Sequence, residues 1–148
     1  MTDVSALGFS IIVKDSKIFP QGFTITQTAD GADPFDFPDV TFGAATMDAN
    51  GNMVYASAPA PVLFNINLLP TTEEDNNMSV LMEAHRPARG RRSTGGDMTI
   101  TVMYPDGTST TAVGAKMLGG SPARSITQPS RYKNKVYNFA CSDYRFNR

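Results

Sequence analysis

The stretch Val62-Leu63-Phe64-Asn65-Ile66-Asn67-Leu68-Leu69-Pro70-Thr71-Thr72-Glu73-Glu74-Asp75-Asn76, continuing to Pro87, decides the fold. Val62, Phe64, Ile66 and Leu68 recur at period two, so a strand puts them on one face. Asn65 and Asn67 fall on the other face, which is at least partly polar. Pro70 has no N–H to donate and ends the ladder. Thr71 and Glu74 have the spacing of a capping box, and Glu73, Glu74 and Asp75 put negative charge at the positive end of a helix dipole. Met78, Leu81, Met82 and His85 follow at helical spacing, which predicts one buried stripe. Arg86 suits the helix C-terminus and Pro87 closes it.

Outward from this pivot the signals are those of strands. Phe9, Ile11 and Val13 open a first strand, Lys14-Asp15-Ser16-Lys17 reads as a turn, and a second strand runs from Ile18 to about Thr28. Asp48-Ala49-Asn50-Gly51-Asn52 carries the Asn-Gly hairpin signal, with Met53-Val54-Tyr55 starting the return strand. Past the helix, Met98, Ile100, Val102 and Tyr104 alternate with Thr99, Thr101 and Met103. Pro105-Asp106-Gly107 turns the chain into a partner strand from Thr108 to about Met117, which Gly119-Gly120 and Pro122 are expected to break. A final strand covers Lys135 to Cys141, with Tyr144 and Phe146 following. Together these predict a mainly β fold with one flanking helix in a single domain spanning residues 1–148.

Composition narrows the function. A chain of 148 residues can bury roughly 70% of its unfolded surface, enough for a core without staples. One cysteine, Cys141, excludes an internal disulfide framework and a multi-cysteine zinc site. No apolar run approaches the ~20 residues of a membrane helix, and the N-terminus lacks a signal-peptide pattern, so a soluble product made in the cytoplasm is expected. A net charge of −1 argues against a general nucleic-acid binder held by phosphate contacts.

No constellation supports an enzyme. His85, the only histidine, lies on the apolar stripe, where a structural role is the simpler reading than a catalytic base. Cys141 sits inside a predicted strand and reads as a buried inert thiol. Neither a cofactor nor a metal is expected. Asp30, Asp33, Asp36 and Asp39 recur every third residue, but Pro34 and Pro38 keep them extended, and the spacing is not that of a Ca²⁺ loop. They read better as a solvated or partner-facing edge.

Two segments stand out instead. Residues 29–46 combine the aspartates with Phe35, Phe37 and Phe42, with no Lys or Arg between Lys17 and Arg86; they are expected to form a long extended loop. Its rings must bury somewhere, in their own core or on a neighbouring chain. Arg86, Arg89, Arg91 and Arg92 make a basic loop of opposite sign, which suits a phosphate, a solvated connection or a protein partner. Identical subunits carrying complementary patches in different places associate head to tail, in closed rings or open filaments.

The order of features resembles that of bacteriophage tail tube proteins, particularly those of contractile tails. Three stretches carry the resemblance: Phe64 to Asn76, with its strand, Pro70 and acid-started helix; the hairpin Met98 to Thr108; and the ending Arg131-Tyr132-Lys133-Asn134-Lys135-Val136-Tyr137-Asn138-Phe139. The resemblance implies a β-sandwich or partly open β-barrel. Six copies are expected to form a ring whose sheets join around a channel, and rings to stack into the inner tube through which phage DNA passes without specific binding. It implies a virion-tail location, with sheath, baseplate and tape-measure proteins as further partners. On that reading Phe35, Phe37 and Phe42 bury against the next subunit, and Asp33, Asp36 and Asp39 meet its Arg89, Arg91 or Arg92. Asn65, Asn67, Thr99 and Thr101 offer a neutral lumen wall. Family channels are commonly acidic, whereas carboxylates here are expected only at turns such as Asp97 or Asp106. An inner-tube protein of a secretion or contractile injection apparatus is the nearest alternative. A monomeric β-sandwich binding module is another, though the chain lacks Trp and its Tyr residues are scattered.

Overall fold

A computed structural model describes residues 2–28, 30 and 33–148. Strands β1 (Ser10–Asp15), β2 (Phe19–Ile25), β3 (Phe35–Asp36), β4 (Gly43–Met47), β5 (Met53–Ser57) and β6 (Val62–Leu68) precede helix α1 (Glu73–His85). Strands β7 (Met98–Met103), β8 (Ser109–Gly120), β9 (Ile126–Thr127), β10 (Arg131–Tyr132), β11 (Lys135–Cys141) and β12 (Asp143–Asn147) follow it. Eight strands form one antiparallel sheet in the order β2-β1-β7-β8-β11-β6-β3, with β12 on β8. Among the described residues, strands β4 and β5 pair only with each other, as do β9 and β10. The expected mainly β fold with a flanking helix is what forms. Among the described residues the sheet stays open, closing no barrel.

Strand β8 serves both halves of the sheet. Its first part pairs with β7 on one side and, through Ser109–Val113, with β12 on the other; its last part, Lys116 to Gly120, pairs with β11. Gly114, at φ +65, supplies one extra residue between the two parts. Thr110 and Ala112 are buried before it and Ala115 after it, so the inward face shifts from even to odd positions, as a bulge requires. The neighbouring chain turns at the same level: Ser142, between β11 and β12, donates its hydroxyl to the Val113 carbonyl (3.1 Å). A Cβ on Gly114 would meet that hydroxyl at 2.5 Å. Two adjacent strands thus turn one corner together.

The corner folds the apolar faces toward one core. Ile11 and Val13, Ile100 and Val102, and Ala112 and Ala115 come from one half. Val62, Phe64, Ile66 and Leu68 come from the other with Tyr137, Phe139 and Cys141, and Met78 and Leu81 of α1 complete the cluster. The alternation read in Val62–Leu68 is kept in full, and β6 is registered along the whole of β11, from Leu68 opposite Lys135 to Val62 opposite Cys141. Truncating a ring such as Phe64 would cost about 3–5 kcal/mol.

Four local expectations change. The helix cap is Thr72, whose hydroxyl accepts from the Asp75 N–H (3.2 Å). Thr71 sits at φ +68, outside the extended geometry a cap needs. Glu74 does not close a capping box; its carboxylate accepts from the Thr26 and Gln27 N–H groups (both 3.1 Å), pinning the chain after β2 to the helix. Gly119 and Gly120 do not break β8, because β11 pairs with them at Asn138 and Tyr137. The Tyr144–Phe146 segment is a strand. Finally, the extended loop ends early: Phe35-Asp36 pairs with β6, and Gly43–Met47 is a regular strand. Ala29, Gly31 and Ala32 of that loop lie outside the described residues.

The cap assignment is testable by chemical denaturation. Thr72→Ala should lower the unfolding free energy by about 1 kcal/mol, with Thr71→Ala close to neutral. The reverse order would restore Thr71 as the cap.

Candidate functional site: the assembly surfaces

The acidic segment divides into a part committed to its own chain and a part that is not. Asn67 donates its backbone N–H to the Pro34 carbonyl (3.0 Å) and its side-chain amide to the Asp33 carbonyl, clamping the segment to β6. Phe35 then packs edge-on against Phe37 (4.7 Å between centroids), both rings lie against Phe64 (5.7 and 5.4 Å), and Phe64 stacks on Phe139 (5.2 Å). Phe35 and Phe37 are therefore half-buried against their own core, which corrects the expectation that all three rings wait for a neighbour. Only Phe42 is largely exposed, at 62%. Asp33, Asp36 and Asp39 are exposed. Asp30 is held in cis by Arg131 (2.6 and 2.7 Å) and Asn134 (3.2 Å), whose hydrogen bonds keep its carboxyl below the usual range.

Strands β4 and β5 form an arm beyond Phe42. Every one of their residues except Gly43 is exposed. The register puts Met47 opposite Met53 and Ala45 opposite Tyr55, so the two methionines and the tyrosine share one face. Tyr55 lies over Gly43, where a Cβ would meet its hydroxyl at 2.6 Å. Asp48 is the only charged residue between Phe42 and Ala60, and it holds the turn by accepting from the Asn50 and Asn52 N–H groups (2.9 and 2.8 Å). The sequence marked the turn but not the five exposed apolar side chains (Phe42, Met47, Met53, Val54, Tyr55) that the arm gathers.

The basic loop is anchored at both ends. Arg91 donates to the Glu83 and Arg86 carbonyls (both 3.0 Å), satisfying helix-end acceptors, so it acts within its own chain. Arg89 and Arg92 are exposed, with no hydrogen bond or ion pair among the described residues. His85 fixes the loop from beneath. Its Nε2 donates to Asp15 Oδ2 (2.8 Å), and the other Asp15 oxygen accepts from Lys17, Ile18 and Gly96 N–H groups (2.8, 3.0 and 3.3 Å). Burial alone would raise the Asp15 carboxyl, but the Ile18 N–H, the His85 ring and the Lys17 and Gly96 N–H groups together hold it below its ordinary value. The structural reading of His85 fits this position, and burial pushes the Cys141 thiol up, away from reactivity.

A second buried polar cluster joins helix and sheet. Tyr137 donates to Asp75 Oδ1 (2.8 Å), while Lys135 donates to the Ser79 hydroxyl (2.9 Å) and stands 3.4 Å from Asp75 Oδ1. The Ser79 and Tyr137 hydroxyls lie 3.2 Å apart, which links the two arms of the cluster.

The expected wall residues lie on the face of the sheet away from the core. Asn65 is registered with Asn138, and Thr101 with Thr111, their hydroxyls 3.4 Å apart. Asn67 is taken by the acidic segment. Register places Lys14 beside Thr99 and Arg145 beside Thr111, so cations flank the threonine row. Asp97 pairs with Lys116 (3.3 Å) and Asp106 accepts from Thr108 in its turn, so these turn carboxylates are engaged within the chain.

A family model described as tail fiber protein gp32 matches residues 2–145. The chain belongs to that family. This gp32-family chain is thus a phage tail-type protein. No curated protein sequence matches it. Its fold is similar to the anti-feeding prophage cap that terminates the tube (TM-score 0.66, 11% identity, 99% of this chain and 92% of that one). It is also similar to the sheath/tube terminator of an extracellular contractile injection system (0.65, 11%, 100% and 99%) and to a chain of the anti-feeding prophage baseplate (0.60, 10%, 99% and 96%).

Two outcomes check this division. Phe35→Ala or Phe37→Ala should each cost about 1–3 kcal/mol in denaturant unfolding, with Phe42→Ala within about 0.5. A neutral Phe37→Ala would return that ring to the assembly surface. For Asp15, a folded-state pKa below its ordinary 3.8 contributes stability that is present above that value and lost as pH falls through the folded pKa. Asp15→Asn should destabilise by about 1–3 kcal/mol at pH 7. The gap to wild type should narrow only as pH falls below 3.8 and through the lowered pKa of the folded Asp15 carboxyl. A pH-independent gap would reject the assignment.

Proposed function

We propose that the protein self-assembles into rings, hexameric in number, that stack as the inner tail tube through which phage DNA passes. The observation that carries this reading is the pairing, in one tail-family chain, of an exposed apolar arm with an acidic base and a separate basic loop. Such patches on identical subunits favour head-to-tail contacts. Phe42, Asp36 and Asp39 stand on one side of the joint; Arg89 and Arg92 stand on the other. Exposed ion pairs contribute only about 0–1 kcal/mol each, so they set register while apolar contacts supply affinity. Asn65, Thr99 and Thr101 line the channel, with Lys14 and Arg145 kept to its margin. Sheath, baseplate and tape-measure proteins are the partners such a tube requires.

A second reading is a tube terminator or cap, since the cap and the sheath/tube terminator share this fold over nearly the whole chain. The two differ in growth: a tube stacks without limit, whereas a terminator stops at a ring.

Negative-stain microscopy of concentrated protein separates them. Stacked tubes support the first reading and isolated rings the second; a persistent monomer rejects both. Reversing charge at Arg89 and Arg92 together should raise the concentration needed for assembly several-fold, and unchanged assembly would remove the loop from the joint.

A further inference from the structure

The sheet is open along one side, and an apolar cavity marks the opening. Phe37 and Val62 line it from one half of the fold, and Tyr104, Tyr144 and Phe146 from the other. Tyr144 and Phe146 belong to β12, which among the described residues pairs with β8 and no other strand, so one edge of β12 has no strand partner among them. Both rings are about half exposed, at 54% and 53%. The same chain carries an arm with the opposite deficit. A two-stranded hairpin is marginal alone in water, yet among the described residues β4 and β5 pair only with each other, and their Met47/Met53/Tyr55 face is exposed.

Resting on the self-assembly reading above, we propose that the β4–β5 arm of a second copy lies along β12 and seats its Met47, Met53 and Tyr55 face in this mouth. Three observations select a second copy as the occupant. Both arm strands and β12 are five residues long, so an added strand matches the free edge from end to end. Charge agrees: the arm, residues 43–57, holds Asp48 and no cation, whereas β12 and the residue after it carry Arg145 and Arg148 against Asp143. Methionines suit an irregular aromatic groove, because an unbranched thioether adapts its shape and makes favourable contacts with ring edges. The contact is heterologous, since arm and mouth are different patches, so each copy both gives and receives.

Mixing two defective copies tests this. Met53→Asp spoils the arm face and leaves the mouth; Phe146→Asp spoils the mouth and leaves the arm. Circular dichroism and unchanged denaturation midpoints establish that both fold. In sedimentation velocity each alone should stay at the 16.0 kDa monomer, and an equimolar mixture should give a 1:1 species of about twice that mass with no further growth. If wild type assembles but the mixture stays monomeric, or either variant assembles alone as wild type does, the arm–mouth contact is wrong and self-assembly proceeds through other surfaces. If wild type stays monomeric at every concentration, self-assembly fails and this contact fails with it. Should Phe146→Asp unfold, Tyr144→Asp replaces it with the same expectations.

Discussion

The paired bend at Gly114 and Ser142 is the constraint on which the rest of the molecule depends. A strand of twelve residues with plain alternation would keep all its inward side chains on one flat face. The extra residue at Gly114 shifts the inward positions, and the hydroxyl of Ser142 ties the adjacent chain to the same turn. The sheet therefore curls over Ile66, Leu68, Ile100, Tyr137 and Phe139, and a single helix is enough to complete the core. The curl also leaves an open side. Closing the core within one chain sets β8 and β11 between neighbouring strands, but leaves β12 as an edge and the β4–β5 arm outside.

Buried polar ties place the segments that face outward. The Asp15–His85 bond fixes the start of the basic loop, and Gly95 and Gly96 let the backbone pass close: a Cβ on Gly95 would overlap the His85 ring, and one on Gly96 the Ser16 hydroxyl. Asn67 does the same for the acidic segment, and Asp30–Arg131 ties its start to the β9–β10 hairpin. The outward patches are thus set by the interior rather than by their own propensities.

Much of the fold was legible because strand alternation and helix caps are local. Val62–Leu68, Met98–Met103 and Lys135–Cys141 were readable from period two, and the helix from its acidic first turn and apolar stripe. What escaped depends on distant partners. Lys14-Asp15-Ser16-Lys17 looked like a turn, yet Asp15 is buried because His85, seventy residues away, meets it. Gly43-Ala44-Ala45 has little strand propensity and becomes a strand through pairing with β5. The cap moved by one residue because Thr71 occupies a left-handed conformation that spacing alone does not reveal. The aromatic aspartate segment stands out in the sequence by its composition. Its rings divide, however, since Phe35 and Phe37 sit where β3 touches β6, and Phe42 lies beyond that pairing.

Interior and exterior thus divide between different residues: the curled sheet holds the chain, and the arm with the β12 edge is the part proposed to hold its neighbours. Amide hydrogen exchange, followed from dilute monomer to assembled particle, tests this separation most directly. The account predicts that β6, β8 and β11 are slow in both states, while the β4–β5 arm and β12 exchange fast in the monomer and become slow only on assembly. Assembled particles in which the arm and β12 still exchange at the monomer's rate would contradict it.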